Sequence, residues 1–169
     1  MTKNIPVIRG KLSHEKIDLG EMIPWDIMGA ESIIHGLMRC FDIEEDIDKQ
    51  RKTATGVAWA AERVIHIPEK MDTPQKFMVA LHEIGHIRWS NKRYKYDYLM
   101  EYDAEIYAIT IASSFGFIKK RSMDAYIKRA KSYVLSYIER DIKKTKIKEI
   151  SKEIVDWIND ESLNKQYYG

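Results

Sequence analysis

The sequence predicts a mainly helical α+β domain in which a small β hairpin or sheet packs beside one central helix. Apolar residues recur at helical spacing along most of the 169-residue chain, and one short stretch is instead rich in β-branched and aromatic residues. No internal repeat, low-complexity tract or flexible linker divides the sequence. We therefore expect residues 1–169 to form a single domain.

The N-terminal part of the chain predicts a helix followed by the hairpin. After a loose N-terminus, residues 23–26 lead into a helix whose apolar face consists of Ile27, Ile34, Leu37, Met38 and Phe41. The acidic residues 42–48 are expected to be solvated surface, because they lack the glycine and the ligand spacing of a calcium loop. Residues 56–68 are bounded by a glycine and a proline, and they predict two short strands joined near Ala61, the only β segment in the chain.

Four helices are predicted after the hairpin. Residues 72–74 supply an N-cap and a proline for a helix over residues 74–90, with an apolar face of Phe77, Met78, Leu81, Ile84 and Trp89. A second helix is expected over residues 98–114, before Gly116. The last two helices have the apolar positions Met123, Tyr126, Ile127, Ala130, Tyr133, Val134, Tyr137 and Ile138, and Ile147, Ile150, Ile154, Trp157 and Ile158. We interpret the tyrosines among them as half-buried helix surface.

The cysteine content and the apolar segments of the sequence indicate where the protein is located in the cell. A single cysteine, Cys40, excludes an internal disulfide framework and a cysteine-rich zinc module. The sequence does not open with a secretory signal, and it has no apolar run of the roughly 18 residues that span a membrane. We therefore expect a cytoplasmic protein with no membrane partner.

Positive charge is concentrated towards the C-terminus. The net charge is only +2, but residues 119–152 hold 12 Lys or Arg against 4 Asp or Glu. A solvated helix face is the simplest interpretation, with an acidic partner, a membrane surface or nucleic acid as alternatives. Direct binding of nucleic acid is not predicted, because the chain has no zinc finger and no aromatic RNA-binding signature.

The helix predicted over residues 74–90 carries an HExxH motif, His82-Glu-Ile-Gly-His86. Residues four apart lie on one helix face, so both imidazole rings can reach one ion, and neutral imidazole is a preferred zinc ligand. Glu83 projects beside the metal, where it can take a proton from water and pass it to a leaving amine. The motif therefore predicts one zinc ion per chain, with His82 and His86 as ligands and Glu83 as general base.

A third zinc ligand is expected from the following helix, because a catalytic zinc site uses three protein ligands and one open position. If the two helices form an antiparallel hairpin, Glu101 comes level with His86. Glu105 shares a helix face with Glu101 and can accept the free ring N–H of a histidine. Asp103 points roughly the other way and is the main competing ligand, with a supporting role as the alternative.

Three short segments between residues 63 and 108 follow one another in a recognisable order. They are the strand Arg63-Val-Ile-His-Ile67, the helix Phe77-Met-Val-Ala-Leu-His-Glu-Ile-Gly-His86 and the helix Glu101-Tyr-Asp-Ala-Glu-Ile-Tyr-Ala108. The combination resembles the ImmA/IrrE family of metallopeptidases and, more widely, the gluzincin class of zincins. The resemblance implies a zincin-like fold in which zinc is bound by His82, His86 and Glu101. It also implies that Glu83 is the catalytic base.

The sequence thus predicts a zinc-dependent endopeptidase that hydrolyses peptide bonds of a protein or peptide substrate. The resemblance implies a repressor or other regulatory protein as the substrate, and a phage or bacterial source. A tetrahedral oxyanion would need a further hydrogen-bond donor. The candidates flank the motif in sequence, and they are Tyr94, Tyr96, Tyr98 and His66.

Two other interpretations compete with the peptidase. One is a non-catalytic zincin-fold module that binds a protein partner through its basic C-terminal helices. The other is a structural zinc site, which would need a fourth ligand that the sequence does not clearly provide. The substrate, the cleavage site and the oligomeric state are left open by the sequence.

Overall fold

The computed structural model describes residues 25–47, 54–88, 92–116, 118–145, 147 and 149–160. Its helices are α1 (Ile27–Cys40), α2 (Pro74–Ile87), α3 (Asp97–Phe115), α4 (Lys120–Thr145) and α5 (Lys152–Asn159). Its strands are β1 (Glu44–Glu45), β2 (Val57–Trp59) and β3 (Val64–His66). The described part of the chain is therefore mainly helical with a small sheet, as predicted. The expected loose N-terminus, Asp48 and Trp89 lie outside the described residues.

The first helix forms where the sequence predicts it. Asp26 caps α1 by accepting a hydrogen bond of 2.9 Å from the backbone N–H of Gly29. Ala30, Ile34 and Met38 recur at helical spacing and are buried. The apolar face therefore attaches α1 to the core, and α1 packs on α2.

The acidic segment after α1 contains a strand that the sequence analysis missed. Glu44 and Glu45 form β1, which pairs in parallel with β3 through the partners Glu44↔Val64 and Glu45↔Ile65. The backbone N–H of Glu44 donates to the Arg63 carbonyl at 2.9 Å, while the Glu44 side chain is exposed. The prediction that residues 56–68 form the only β segment was therefore wrong, because exposed acidic side chains do not prevent strand pairing at a sheet edge. The Asp42 and Glu44 side chains are exposed, as predicted.

The predicted hairpin is confirmed, and it completes a three-stranded sheet in the order β1-β3-β2. The strands β2 and β3 pair antiparallel, with Ala58 opposite Ile65 and Trp59 opposite Val64. Arg63 closes the turn with a left-handed φ of 57°. This order places β2 at an edge of the described sheet, against α2.

The central helix, α2, is buried along most of its length. The Thr73 hydroxyl accepts from the Lys76 N–H at 3.3 Å, and Pro74 occupies the first turn, as the sequence predicts. The helix ends at Ile87, short of the predicted residue 90. It contacts α1, β2, β3 and α3, so the core is built around it.

The helix α3 returns antiparallel to α2. Gly85 lies against Ala104, and the Arg88 side chain donates to the Asp103 carbonyl at 3.2 Å. A later residue of α2 therefore contacts an earlier residue of α3, as expected for antiparallel helices. A Cβ atom on Gly85 would lie 2.9 Å from the Cα of Ala104. The two helices are therefore so close at this point that any residue other than glycine would require the backbones to shift.

The C-terminal helices differ in length from the prediction. At 26 residues, α4 extends past both ends of the predicted pattern, and its buried Asp141 accepts a 2.9 Å hydrogen bond from the Tyr98 N–H at the start of α3. By contrast, α5 begins only at Lys152. Ile147 and Ile150 precede α5, so their assignment to its helical face was wrong. Ile147 is nevertheless buried and belongs to the core.

One contiguous core includes buried residues from all five helices, from β3 and from the connection that follows β3. Within the described ranges, no helix combines the length and the apolar character needed to cross a membrane.

The close contact between α2 and α3 is tested by Gly85→Ala. We expect this change to lower the free energy of unfolding by about 1–3 kcal/mol, because the new methyl group must push the two helix backbones apart. The matched control is Gly36→Ala on α1, where an added Cβ would meet nothing within 4 Å. Urea denaturation should show the control stabilised by about 0.5–1 kcal/mol through helix propensity. Equal stabilisation of both variants would contradict the proposed close contact.

Candidate metal centre

One turn of α2 places two imidazole rings side by side. The Nε2 atoms of His82 and His86 are 3.0 Å apart, and the ring centroids are separated by 4.6 Å. His82 is buried, with 8% of its surface exposed. From α3, the Glu101 Oε2 atom lies 3.3 Å from His82 Nε2 and 3.6 Å from His86 Nε2. The buried His82 and Glu101 and the partly buried His86 could therefore hold a metal ion.

Glu105 lies on the other side of the His82 ring. Its Oε1 is 3.4 Å from His82 Nδ1, and its Oε2 accepts a 2.5 Å hydrogen bond from the Tyr126 hydroxyl. Glu105 is 1% exposed, so its carboxylate is held entirely by protein groups. This is the position in which a carboxylate can orient a ligating histidine through its second ring nitrogen.

The Asp103 side chain does not belong to the His82, His86 and Glu101 group. Its carboxylate oxygens lie 3.3 Å from Arg88 Nη2 and 3.1 Å from Lys92 Nζ, and the Tyr94 hydroxyl donates to the same group. Asp103 was the competing ligand in the sequence analysis. Asp103 instead links α3 to Arg88, Lys92 and Tyr94, which follow α2 in the chain.

Glu83 lies beside the histidines at the wall of a pocket of about 200 Å³. The lining residues are Ala54, Thr55, Gly56, Val79, His82, Glu83, Glu105, Arg129 and Tyr133. Gly56, just before β2, packs directly on the Glu83 side chain, since an added Cβ would lie 2.5 Å from Glu83 Cγ. The edge of the sheet thereby fixes where this carboxylate can lie.

Burial and the density of carboxylates set the protonation states in the centre. Burial raises the pKa of Glu83, His82 opposes this and the Glu101 and Glu105 charges add to it, with a net pKa of about 7. Burial lowers the pKa of His86 to about 4. His86 is therefore neutral at pH 7, which is the form that binds metals.

His82 and Glu101 shift each other's pKa. Burial lowers the pKa of His82, but its hydrogen bond to Glu101 and the nearby acidic charges more than offset this and raise it. Burial likewise raises the pKa of Glu101, yet contacts with the two histidines and a hydrogen bond from Tyr137 bring it below its usual value. Glu101 is therefore ionised at neutral pH, as a metal ligand must be.

The helix α4 forms a wall of the site that the sequence analysis did not recognise. The Tyr133 ring centroid is 6.0 Å from that of His82, and its hydroxyl is 3.1 Å from the Tyr137 hydroxyl. These tyrosines are partly buried, as predicted, but they face the centre. The available signal was their helical spacing with Tyr126 and Arg129, which places all four on one face of α4.

The four residues considered as oxyanion donors lie elsewhere. The Tyr94 hydroxyl binds Asp103, and the rings of Tyr96 and Tyr98 stack on each other at 5.8 Å. His66 is 1% exposed, and neither of its ring nitrogens has a hydrogen-bond partner among the described residues. None of the four lines the pocket beside Glu83, whereas Tyr133 does.

Comparison of the chain with protein-family models, with curated proteins and with solved structures gave no match. We therefore infer the function from the geometry of the centre.

The supporting role of Glu105 is tested by Glu105→Gln. We expect zinc affinity to fall roughly 10- to 100-fold, because the amide orients His82 less strongly than the carboxylate does. Asp103→Asn is the matched control, since it removes one carboxylate from the same helix outside the ligand group. Competition titration with a zinc chelator measures both variants. A larger loss for Asp103→Asn than for Glu105→Gln would show that the supporting residue is Asp103.

Proposed function

We propose that the chain is a zinc-dependent peptidase that hydrolyses peptide bonds of a protein or peptide substrate. The observation that carries the proposal is the convergence of three ligand atoms, from His82, His86 and Glu101, beside the buried carboxylate of Glu83. A hydrolytic metal site needs this combination of a held ion and an adjacent base.

The spacing of the ligand atoms supports zinc. In a tetrahedral site with bonds of about 2.0–2.1 Å, neighbouring ligand atoms are about 3.3–3.4 Å apart. The three observed separations are 3.0, 3.3 and 3.6 Å, which bracket this value. Two imidazole nitrogens and one carboxylate oxygen are also a common donor set for catalytic zinc.

Three ligands are the number that a catalytic site uses, because the fourth position is left for water or substrate. A zinc ion held by these residues would supply Lewis acidity for the polarisation of a carbonyl group and of water. Glu83 is placed to accept a proton from an attacking water molecule and to deliver it to the amine nitrogen that leaves. Tyr133 lines the same pocket and is our candidate to stabilise negative charge on the carbonyl oxygen.

The shape of the surroundings supports an extended peptide as the substrate. The pocket lies between residues 54–56, which lead into β2, and the Tyr133 face of α4. Since β2 is at an edge of the described sheet, a peptide in the pocket can add its backbone to that edge. The resemblance to the ImmA/IrrE family adds the proposal that the natural substrate is a regulatory protein.

The peptidase proposal is tested by Glu83→Gln. Purified wild-type protein should contain about one zinc per chain by atomic absorption, and Glu101→Ala should lose it. Glu83→Gln should keep the zinc while hydrolysis of a casein or quenched-peptide substrate falls by a factor of about 100 or more, because the base is lost. A zinc-loaded wild type that cleaves no protein or peptide would instead favour the non-catalytic binding module.

The contact between Gly56 and Glu83 gives a second test. Gly56→Ala should displace the Glu83 carboxylate, because the new methyl group would overlap its side chain. We expect turnover to fall about tenfold or more with zinc content unchanged, since the metal ligands are not touched. Gly36→Ala, at an open position on α1, is the control and should keep full activity. Full turnover in both variants would show that Glu83 is not held by Gly56.

A further inference from the structure

Arg129 places a guanidinium group in the pocket that also contains Glu83 and His82. We propose that Arg129 is a specificity-determining residue that binds a carboxylate of the substrate close to the scissile bond. The inference depends on the proposed peptidase function and adds a substrate class to it, namely peptides with a negative charge near the point of cleavage.

The partners that Arg129 has in the protein leave part of its hydrogen-bonding capacity unused. A guanidinium has five N–H donors. One contact is with the Tyr126 hydroxyl, and Arg129 Nη2 lies 3.8 Å from Glu105 Oε1, which is longer than a hydrogen bond. The Arg129 Nε atom is buried and has no acceptor in the described structure. Because Nε is buried, an incoming carboxylate would pair with the outer N–H groups of the guanidinium, which present two donors side by side.

Glu105 cannot neutralise Arg129 fully, because its carboxylate is shared. One oxygen accepts from Tyr126 at 2.5 Å, and the other lies 3.4 Å from His82. Arg129 is also positioned by the Tyr126 ring, with its guanidinium carbon 4.9 Å from the ring centroid. Its side chain is 37% exposed, so a substrate group can reach it from solvent. Arg129 is therefore both fixed in place and accessible.

The surrounding charge favours the approach of an acidic peptide. Residues 119–152 carry a local excess of eight positive charges, from 12 basic and 4 acidic side chains. The exposed basic side chains of α4 are Lys120, Arg121, Lys128, Arg140, Lys143 and Lys144. Glu83 and Glu105 line the same pocket as Arg129. A substrate carboxylate is thus attracted to Arg129 on α4 and repelled from the part of the pocket beside Glu83.

The carboxylate could come from an acidic side chain or from a C-terminal carboxyl group, and three peptides separate these sources. The first fluorescein-labelled nonapeptide contains an internal glutamate and a C-terminal amide. The second replaces the glutamate by glutamine, and the third has the glutamine with a free C-terminal carboxylate. Binding is measured by fluorescence anisotropy to the zinc-loaded Glu83→Gln protein, so the readout does not require turnover.

We expect a carboxylate peptide to bind about tenfold more tightly than the neutral peptide, as a charge-assisted pair implies. Tighter binding of the glutamate peptide alone identifies an acidic side chain. Tighter binding of the free-carboxylate peptide alone identifies a chain terminus and a carboxypeptidase-like preference. Equal binding of all three peptides, or no binding of any, overturns the proposal without the need for a variant.

Three substitutions in the Glu83→Gln protein assign the preference to Arg129. Arg129→Gln should abolish the difference between the peptides, and Arg129→Lys should retain only part of it, because lysine keeps the charge but not the paired donors. Lys128→Gln removes the same charge from the neighbouring exposed position and should leave the preference unchanged. A preference that survives Arg129→Gln overturns the assignment. Thermal melting and zinc content identify any variant that is unfolded, in which case Arg129→Lys decides.

Turnover by the wild type separates this inference from the proposed function. Digestion of a degenerate peptide library should enrich Asp, Glu or a free C-terminus at one fixed position from the cleaved bond. Cleavage without that enrichment would overturn the role of Arg129 and leave the peptidase standing. A binding preference with no cleavage of any peptide would support the role of Arg129 and contradict the peptidase function.

Discussion

The candidate site depends on one steric constraint, the close approach of α2 and α3 at Gly85 and Ala104. The two histidines can be brought together by a single helix, because residues four apart share a face. Glu101 reaches them from the neighbouring helix, so its distance from the histidines depends on how closely the two helix backbones approach. Gly85, inside the HExxH motif, permits that approach because it has no Cβ atom. A Cβ at this position would lie only 2.9 Å from the Ala104 Cα. The distance between the helices therefore sets the distance between the ligands.

The same close packing brings together groups that repel one another. Glu83, Glu101 and Glu105 are only 7%, 5% and 1% exposed, and burying a charged carboxylate costs free energy unless opposite charge is nearby. His82 and Arg129 supply part of that charge, but the pKa of Glu83 is still raised to about 7. A divalent cation at the ligand atoms would relieve this repulsion. The arrangement thus supports the proposed metal site, since the apolar core already stabilises the fold.

The features that could be predicted from the sequence are the local ones. The helix α2 and its motif follow from short-range periodicity and from the Thr73 cap, and the hairpin follows from its composition. Glu101 could be identified because a helical hairpin has few geometries. The strand β1 could not, because it exists only through pairing with β3, which lies about twenty residues further along the chain. The spacing of the α4 tyrosines indicates that they share one helix face. It does not indicate that this face points to the site, because tertiary packing decides the orientation of a helix.

The position of α4 shows that the α2–α3 hairpin is not a complete site. Tyr126 donates to Glu105, which in turn faces the second nitrogen of His82, so this helix helps to orient a candidate ligand from behind. Tyr137 acts in the same way on Glu101. On the opposite side, Gly56 at the start of the edge strand fixes Glu83. In the proposed peptidase, α4 thus orients the ligands and residues 54–56 position the base, so a substrate would lie in the pocket between them.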